Sequence, residues 1–398
     1  MLEVLAVLAV LVAVMVATAT MSYARALSYP GSASWSVRTV DWVREHGGSG
    51  VVNTVENWWY SNNAPTGSAP ASSALPRPVA PGSVAVGARP PPLHPLAGST
   101  PLPGEAQWVP SPQRLAGVPA MYTGFFRSDP NYPSLVVGVA WMDQTLIDTH
   151  LIAGTREPGG VGWPDGAQVP PGLRPALLAT FNSGWKIRDS NGGYYAYGRT
   201  AAPLRDGAAS LVIDTAGRVM IGQWGRDVGM NPRVAAVRQN LDLVIDHAQP
   251  APGLADNTNG AWGNRHNQAQ YTWRSGLGTD NAGNLVYVAG NKLTLVELAR
   301  AMTMAGIVTG MQLDIHPQMV AFNTCRPAPA HAFGLACAKL LPDMIGPATR
   351  YLTPDQRDFL AVTIVAPTDH NAKKPSVTAA ARGHTGSTPA APTRRSAR

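Results

Sequence analysis

Charge is scarce in this sequence. Only 14% of its 398 residues are Asp, Glu, Lys or Arg, too few for the solvated faces of a helical bundle or a coiled coil. Aromatic residues make up 7%, and there are two cysteines, which excludes a disulfide-built scaffold and leaves too few sulfur ligands for a thiolate metal centre. The net charge of +7 is not a nucleic-acid footprint. From Asp369 to the C-terminus six Lys/Arg stand against one acid, so the tail supplies +5 and the rest about +2. A phosphate-tracking surface needs more than that, and no nucleic-acid partner is expected. What is abundant is Gly (40) and Pro (36), the mark of a loop-rich chain.

One long apolar run exists. Leu2–Met21, "LEVLAVLAVLVAVMVATATM", is about the length that crosses a membrane as a helix and lacks the polar face of a soluble one. A cleaved signal peptide is the competing reading, with Ala17–Ala19 or Ser22–Ala24 as small-residue cleavage sites. Both readings send the remainder across the membrane, as a single-pass membrane protein or a secreted one. No Lys or Arg precedes the run and Arg25 follows it, which taken alone favours the opposite orientation; a basic segment ahead of Met1 is therefore expected. Export agrees with Cys325 and Cys337, close together in a loop-like stretch, where oxidation closes a short loop worth roughly 3 kcal/mol.

The rest of the chain divides by composition. Residues 1–24 form the membrane helix or signal anchor, and 25–61 a short helical segment: Val37, Val40, Trp42 and Val43 make a helical stripe stopped by Gly47–Gly48, before a second helix from Val51 to Tyr60. Residues 62–104, rich in Pro, Ala and Gly, read as an extended linker, and 367–398 as a disordered basic tail. One domain, 105–366, remains. In it Ser134–Met142, Pro175–Trp185 and Ala236–Asp246 read as strands. Ser210–Trp224 and Ser275–Gly290 read as two hairpins with a shared Ala-Gly turn, a hint of internal duplication. Thr294 and Glu297 form a capping box for a helix whose stripe is Leu295, Leu298, Ala299 and Met302, stopped at Gly306. The predicted class is α+β, a mixed or largely antiparallel sheet with hairpins and a few packed helices.

Polar residues gather at or beside strand ends, where pockets form: Asn182, Gln239, Asn240, Arg274 and Asp314, with His316 just beyond. Each has an ordinary alternative as a turn, a surface ion pair or a backbone cap. Their order narrows the choice. "ATFNSGW", "AVRQNLDLVIDHAQ", "WRSGLGTDNAGNLVYV" and "KLTLVELARAM" running on to "GMQLD" together resemble the phosphodiester glycosidase family, that is, an N-acetylglucosamine-1-phosphodiester alpha-N-acetylglucosaminidase-like domain, over about residues 176–323.

The resemblance implies cleavage of a sugar from a phosphodiester at the anomeric carbon. Arg274 then holds the phosphate and Asp314 serves at the anomeric carbon. His316, which lies where the chain departs from the family, is a candidate acid or base or a metal ligand beside Asp314, with a structural role as its ordinary alternative. Asn182, Gln239 and Asn240 bind sugar hydroxyls, and Trp273 or Trp185 stacks on the ring. The chain departs from the family after Leu-Asp, where "IHPQMV" replaces a glycine-rich turn; Ile315 and Pro317 cannot take the conformations glycine allows. The expected partners are a phosphate-linked glycan of the cell envelope and the membrane. No residue pattern names a cofactor or a metal. A non-catalytic glycan-binding protein with the same cleft is the second reading, and a structural anchor whose linker spans a wall layer is the third.

Overall fold

The alternating runs predicted as hairpins pair as antiparallel ladders. Ala209–Asp214 pairs with Val219–Gln223, and Thr272–Thr279 with Leu285–Leu293. The computed structural model describes residues 2–31, 33–76 and 87–365; the predicted basic tail and residues 77–86 of the predicted linker lie outside them. Every ladder between the described strands is antiparallel.

An eight-stranded sheet runs in the order Val109–Pro110, Met121–Arg127, Val136–Met142, Leu285–Leu293, Thr272–Thr279, Thr309–Ile315, Leu243–Asp246 and Gln249–Pro250. Successive residues of its central strand face opposite ways: Tyr287 and Ala289 enter one apolar cluster, Val286 and Val288 another. The second cluster is completed by the capped helix Leu295–Met304, whose Leu295, Leu298, Ala299 and Met302 are all buried. Glycine is required where this layer meets the sheet. A Cβ at Gly276 would lie 2.7 Å from Met302 Sδ, and one at Gly278 2.2 Å from Ile307 Cγ2.

The other face of the large sheet packs on two five-stranded sheets. One is built around Ala209–Asp214 and Val234–Gln239, the other around Leu177–Asn182 and Phe359–Ile364. Phe181, Leu211, Leu360 and Leu313 meet in the cluster between them.

Three expectations are corrected. Ala236–Asp246 is not one strand: Val234–Gln239 and Leu243–Asp246 belong to different sheets, and Leu241 turns between them at φ 57°. The cysteines do not lie in a loop; Cys325 faces Cys337 across the pair Phe322–Pro327 and Leu335–Lys339, joined as a disulfide. The described flanks of the Pro-rich stretch are not a free tether either. Leu93 and Leu96 are buried in the core, and Trp108 Nε1 donates to Pro91 O at 2.8 Å.

Three helices precede this body: α1 (Leu2–Ser28), α2 (Trp35–Val43) and α3 (Ser49–Ser61). Ser34 caps α2 through Val37 N, and Gly47, at φ 88°, turns the chain between α2 and α3. Among the described residues one helix is long and apolar enough to cross a membrane: Glu3–Ser28, mean hydropathy 2.7.

Candidate active site

The strand Thr309–Ile315 is buried on both faces, and its last turns deliver Asp314 and His316 into a cavity of about 750 Å³. The floor is the body: Trp185, Lys186, Asp314, His316 and Arg357. The roof is the N-terminal pair of helices, through Asp41 and Arg44 near the end of α2 and Asn53, Glu56 and Tyr60 of α3.

Asp314 Oδ2 accepts from Arg357 Nη2 at 2.8 Å, and Oδ1 accepts from the amide of Ile315 at 2.9 Å. The residue is only 8% exposed. Burial pushes its carboxyl up to about 6, against the lowering effects of Arg357 and the Ile315 amide. Arg357 is itself buried; it donates to Gly184 O at 3.1 Å, and its Nε has no acceptor. It comes from Asp355–Asp358, just ahead of the strand Phe359–Ile364, a segment that also supplies two further buried pairs, Arg350–Asp355 at 2.8 Å and Arg238–Asp358 at 2.7 Å.

His316 sits at φ 79°, so the left-handed turn that a glycine would favour is taken by the histidine itself. Its amide donates to Trp273 O at 2.9 Å, and its ring stacks on Tyr60 of α3 at 5.3 Å. Burial, then the cations Arg44 and Arg274, hold its imidazole down to about 3, so the ring is neutral at ordinary pH. Lys186 Nζ, also facing the cavity, is paired with Asp41 of α2 at 2.5 Å.

The other residues singled out from sequence lie outside this cavity's lining. Arg274 is wholly buried and spends its donors on protein: Nε on Leu293 O at 2.7 Å, Nη1 on Gln268 Oε1 at 2.7 Å, Nη2 on Asn267 O at 2.6 Å. With Nη2 also reaching Gln268 O and Gln270 O at 3.2 Å, four of its five N–H groups are spent on protein, and the side chain is buried away from the cavity lining, not set at a phosphate site. Gln239 makes four hydrogen bonds inside the protein, with Gly193 N, Arg205 N, Arg205 O and Ser210 Oγ. Asn182 likewise bonds Ser183 O, Ser275 Oγ, Tyr287 OH and Ala321 N. Asn240 ties Trp185 N to Gln312 O, and Trp273 is 2% exposed in the core.

Two of these nonetheless shape the floor from beneath. Asn182 ends the strand that continues into Ser183-Gly184-Trp185, and there Ser183 O accepts from Asp314 N at 2.9 Å while Trp185 Nε1 donates to Leu313 O at 3.1 Å. Asn240 holds the same loop.

No protein-family model matches the chain, and no curated protein matches it. Among solved structures, the chain resembles the zebrafish N-acetylglucosamine-1-phosphodiester alpha-N-acetylglucosaminidase catalytic domain auto-inhibited by its pro-peptide, at TM-score 0.40 and 11% identity over 65% of this chain and 87% of that one. It also resembles a hypothetical protein from Synechocystis at TM-score 0.36 and 11% identity, over 62% of each chain. A protein of Burkholderia pseudomallei follows at TM-score 0.31 and 12% identity, over 58% of this chain and 74% of that one. These are distant structural likenesses, and they assign no residue a role.

Reasoning from sequence missed Arg357, Lys186 and the roof. For Arg357 a signal was present: "PDQRD" sets three charged residues against the apolar run "FLAVTI" in a chain otherwise sparing of charge. For the roof there was none, because helices before a proline-rich stretch look separate from the body in one dimension.

Proposed function

We propose that the protein is an extracytoplasmic hydrolase that cleaves a sugar from a sugar-1-phosphodiester of an envelope glycan. The observation that carries this reading is the meeting, in one cavity, of a buried carboxyl held near 6 with two cations, Arg357 and Lys186. A phosphodiester brings a fixed negative charge; Lys186, once released from Asp41, supplies donors for it, and Arg357 adds its charge beside Asp314. Phosphate recognition thus passes from Arg274, expected from the family resemblance, to these two residues.

In this mechanism the C1–O bond breaks and its electron pair leaves on the phosphate oxygen, where the cations hold the charge. A phosphate monoester leaves more readily than an alkoxide, so little general acid help is needed. Ionised Asp314 stabilises positive charge at C1; water's oxygen then bonds to C1, and its proton passes to the carboxylate and on to solvent. Neutral His316 lines the same space as a hydrogen-bonding wall. Asp41 occupies Lys186 in the structure, so the substrate's phosphate exchanges with a carboxylate on entry.

The test is sugar release from a panel of sugar-1-phosphodiesters by the full chain in detergent, wild type beside Asp314→Asn, with folding checked by thermal unfolding. Release lost in a folded variant supports the reading. No release from any member, with ligands still raising the melting temperature, replaces it with a glycan-binding protein.

A further inference from the structure

Helix α3 is amphipathic in the opposite sense to a helix on a wetted surface. Asn53, Glu56 and Tyr60 turn inward to the cavity. Val51, Val55, Trp58 and Trp59 share the opposite face and are between 58% and 68% exposed. A water-facing helix buries its apolar stripe and wets its polar one; α3 does the reverse, and Trp35 at the start of α2 is 74% exposed as well. An apolar face rimmed by polar groups marks a surface that something covers.

The attachment of these helices says what that is. A hydrocarbon core takes about twenty residues of helix, so a span entered near Val4 leaves it near Tyr23. That is where α2 is fastened. Trp42 Nε1 donates to Ser22 Oγ at 3.0 Å, and Tyr23 OH meets Thr39 Oγ1 at 2.8 Å, with the Tyr23 and Trp42 rings edge-on at 5.2 Å. Arg38 donates to Leu27 O at 3.0 Å and Gly31 O at 2.7 Å, closing the bend after α1. The exposed tryptophans therefore follow, by a hydrogen-bonded and short connection, the level at which the span meets the headgroups, where indole rings partition.

We propose that the outward face of α3, together with Trp35, seats in the headgroup layer of the membrane that α1 crosses, and that the cavity behind α3 takes the sugar-phosphate headgroup of a lipid in that membrane. The surface rests on α1 being a retained span, and the ligand rests on the sugar-phosphodiester reading of the site. The roof of the cavity is then also its membrane contact, and a lipid-borne headgroup reaches Lys186 and Asp314 without leaving the interface.

The experiment uses the full chain reconstituted in phospholipid vesicles. Wild type is compared with the Trp58→Phe/Trp59→Phe pair, with quenching by phospholipids brominated near the top of the acyl chain. The proposal expects bromolipid to quench wild type more than the pair, and aqueous acrylamide to quench both alike. Equal bromolipid quenching, with the tryptophan difference lost to acrylamide instead, overturns the docking surface; so does an intact mass showing that purified protein has lost α1. Neither reading needs turnover.

A second arm compares hydrolysis of a long-chain lipid sugar-1-phosphodiester in the vesicles with that of its short-chain soluble counterpart. Trp58→Ser/Trp59→Ser is expected to slow the lipid about tenfold and leave the soluble compound nearly unchanged, since the docking face sets local concentration and not chemistry. Equal slowing of both, or of neither, overturns the lipid assignment. If bromolipid quenching holds while neither compound is cleaved, the glycosidase reading fails and the docking surface stands.

Discussion

Arg357 Nη2 lies 2.8 Å from Asp314 Oδ2, both side chains nearly closed to solvent. A buried pair of this kind does little for net stability, but removing one partner strands the other. Arg357→Met should cost about 3 kcal/mol or more and raise the Asp314 carboxyl further, because the guanidinium is the main influence lowering it. Sugar release should fall by about a hundredfold. Thermal unfolding and the pH profile of release check the two parts separately; an unshifted profile contradicts the pairing's role.

Asp314 also makes a prediction about pH. Its folded carboxyl titrates near 6, above the ordinary carboxylate range, so the folded state takes up the proton first. The associated stability is present at low pH and is lost as pH rises through about 6. Relative to Asp314→Asn, wild type should lose up to about 3 kcal/mol between about pH 4 and pH 7. Urea midpoints of both proteins across that range measure it, and a constant difference refutes the shift.

His316 runs the other way. Its folded value, near 3, lies below that of a free imidazole, so the unfolded chain binds the proton first and stability is lost as pH falls below about 6.5. Against His316→Gln, wild type should lose about 1 kcal/mol by pH 5, less than a fully buried ring would, since this one is half-buried. The same urea series reads this out.

Asp41 and Lys186, 2.5 Å apart, predict competition. Asp41→Asn frees the lysine, so inorganic phosphate should raise the variant's melting temperature more than the wild type's, and KM for a sugar-1-phosphodiester should fall several-fold with kcat nearly unchanged. A variant whose phosphate response matches wild type places the anion elsewhere.

Arg274 predicts a contrast. With its guanidinium committed to Leu293, Gln268 and Asn267, Arg274→Lys should destabilise by about 3 kcal/mol yet leave the KM of the folded fraction unchanged. A raised KM in a stable variant returns the phosphate to Arg274.

How far the sequence was readable follows from what each signal depends on. The capping box at Thr294 and the hairpin alternation around Asp214 and Asp280 are local, so both appeared where expected. The position of Asp314 and His316 at a strand end was legible because a strand ending in polar residues is a local pattern too. Asn182, Gln239 and Arg274 show the same pattern, but whether a strand-end polar residue meets solvent or protein depends on its neighbours in the fold; here all three are buried and bonded. The break at Leu241 carries no Gly or Pro to announce it, since Asn240 fixes the turn through Trp185 and Gln312. The roof was invisible because α3 hides its polar face, and hydrophobic periodicity by itself assigns the opposite face to the core.

The most direct test of the central claim is hydrolysis of a sugar-1-phosphodiester in water enriched in oxygen-18, with mass spectrometry of both products. Cleavage at the anomeric carbon beside Asp314 puts the label in the released sugar and none in the phosphate ester, and Asp314→Asn abolishes it. Label in the phosphate would mean that the phosphorus is attacked, and the assignment of Asp314 to the sugar would be wrong.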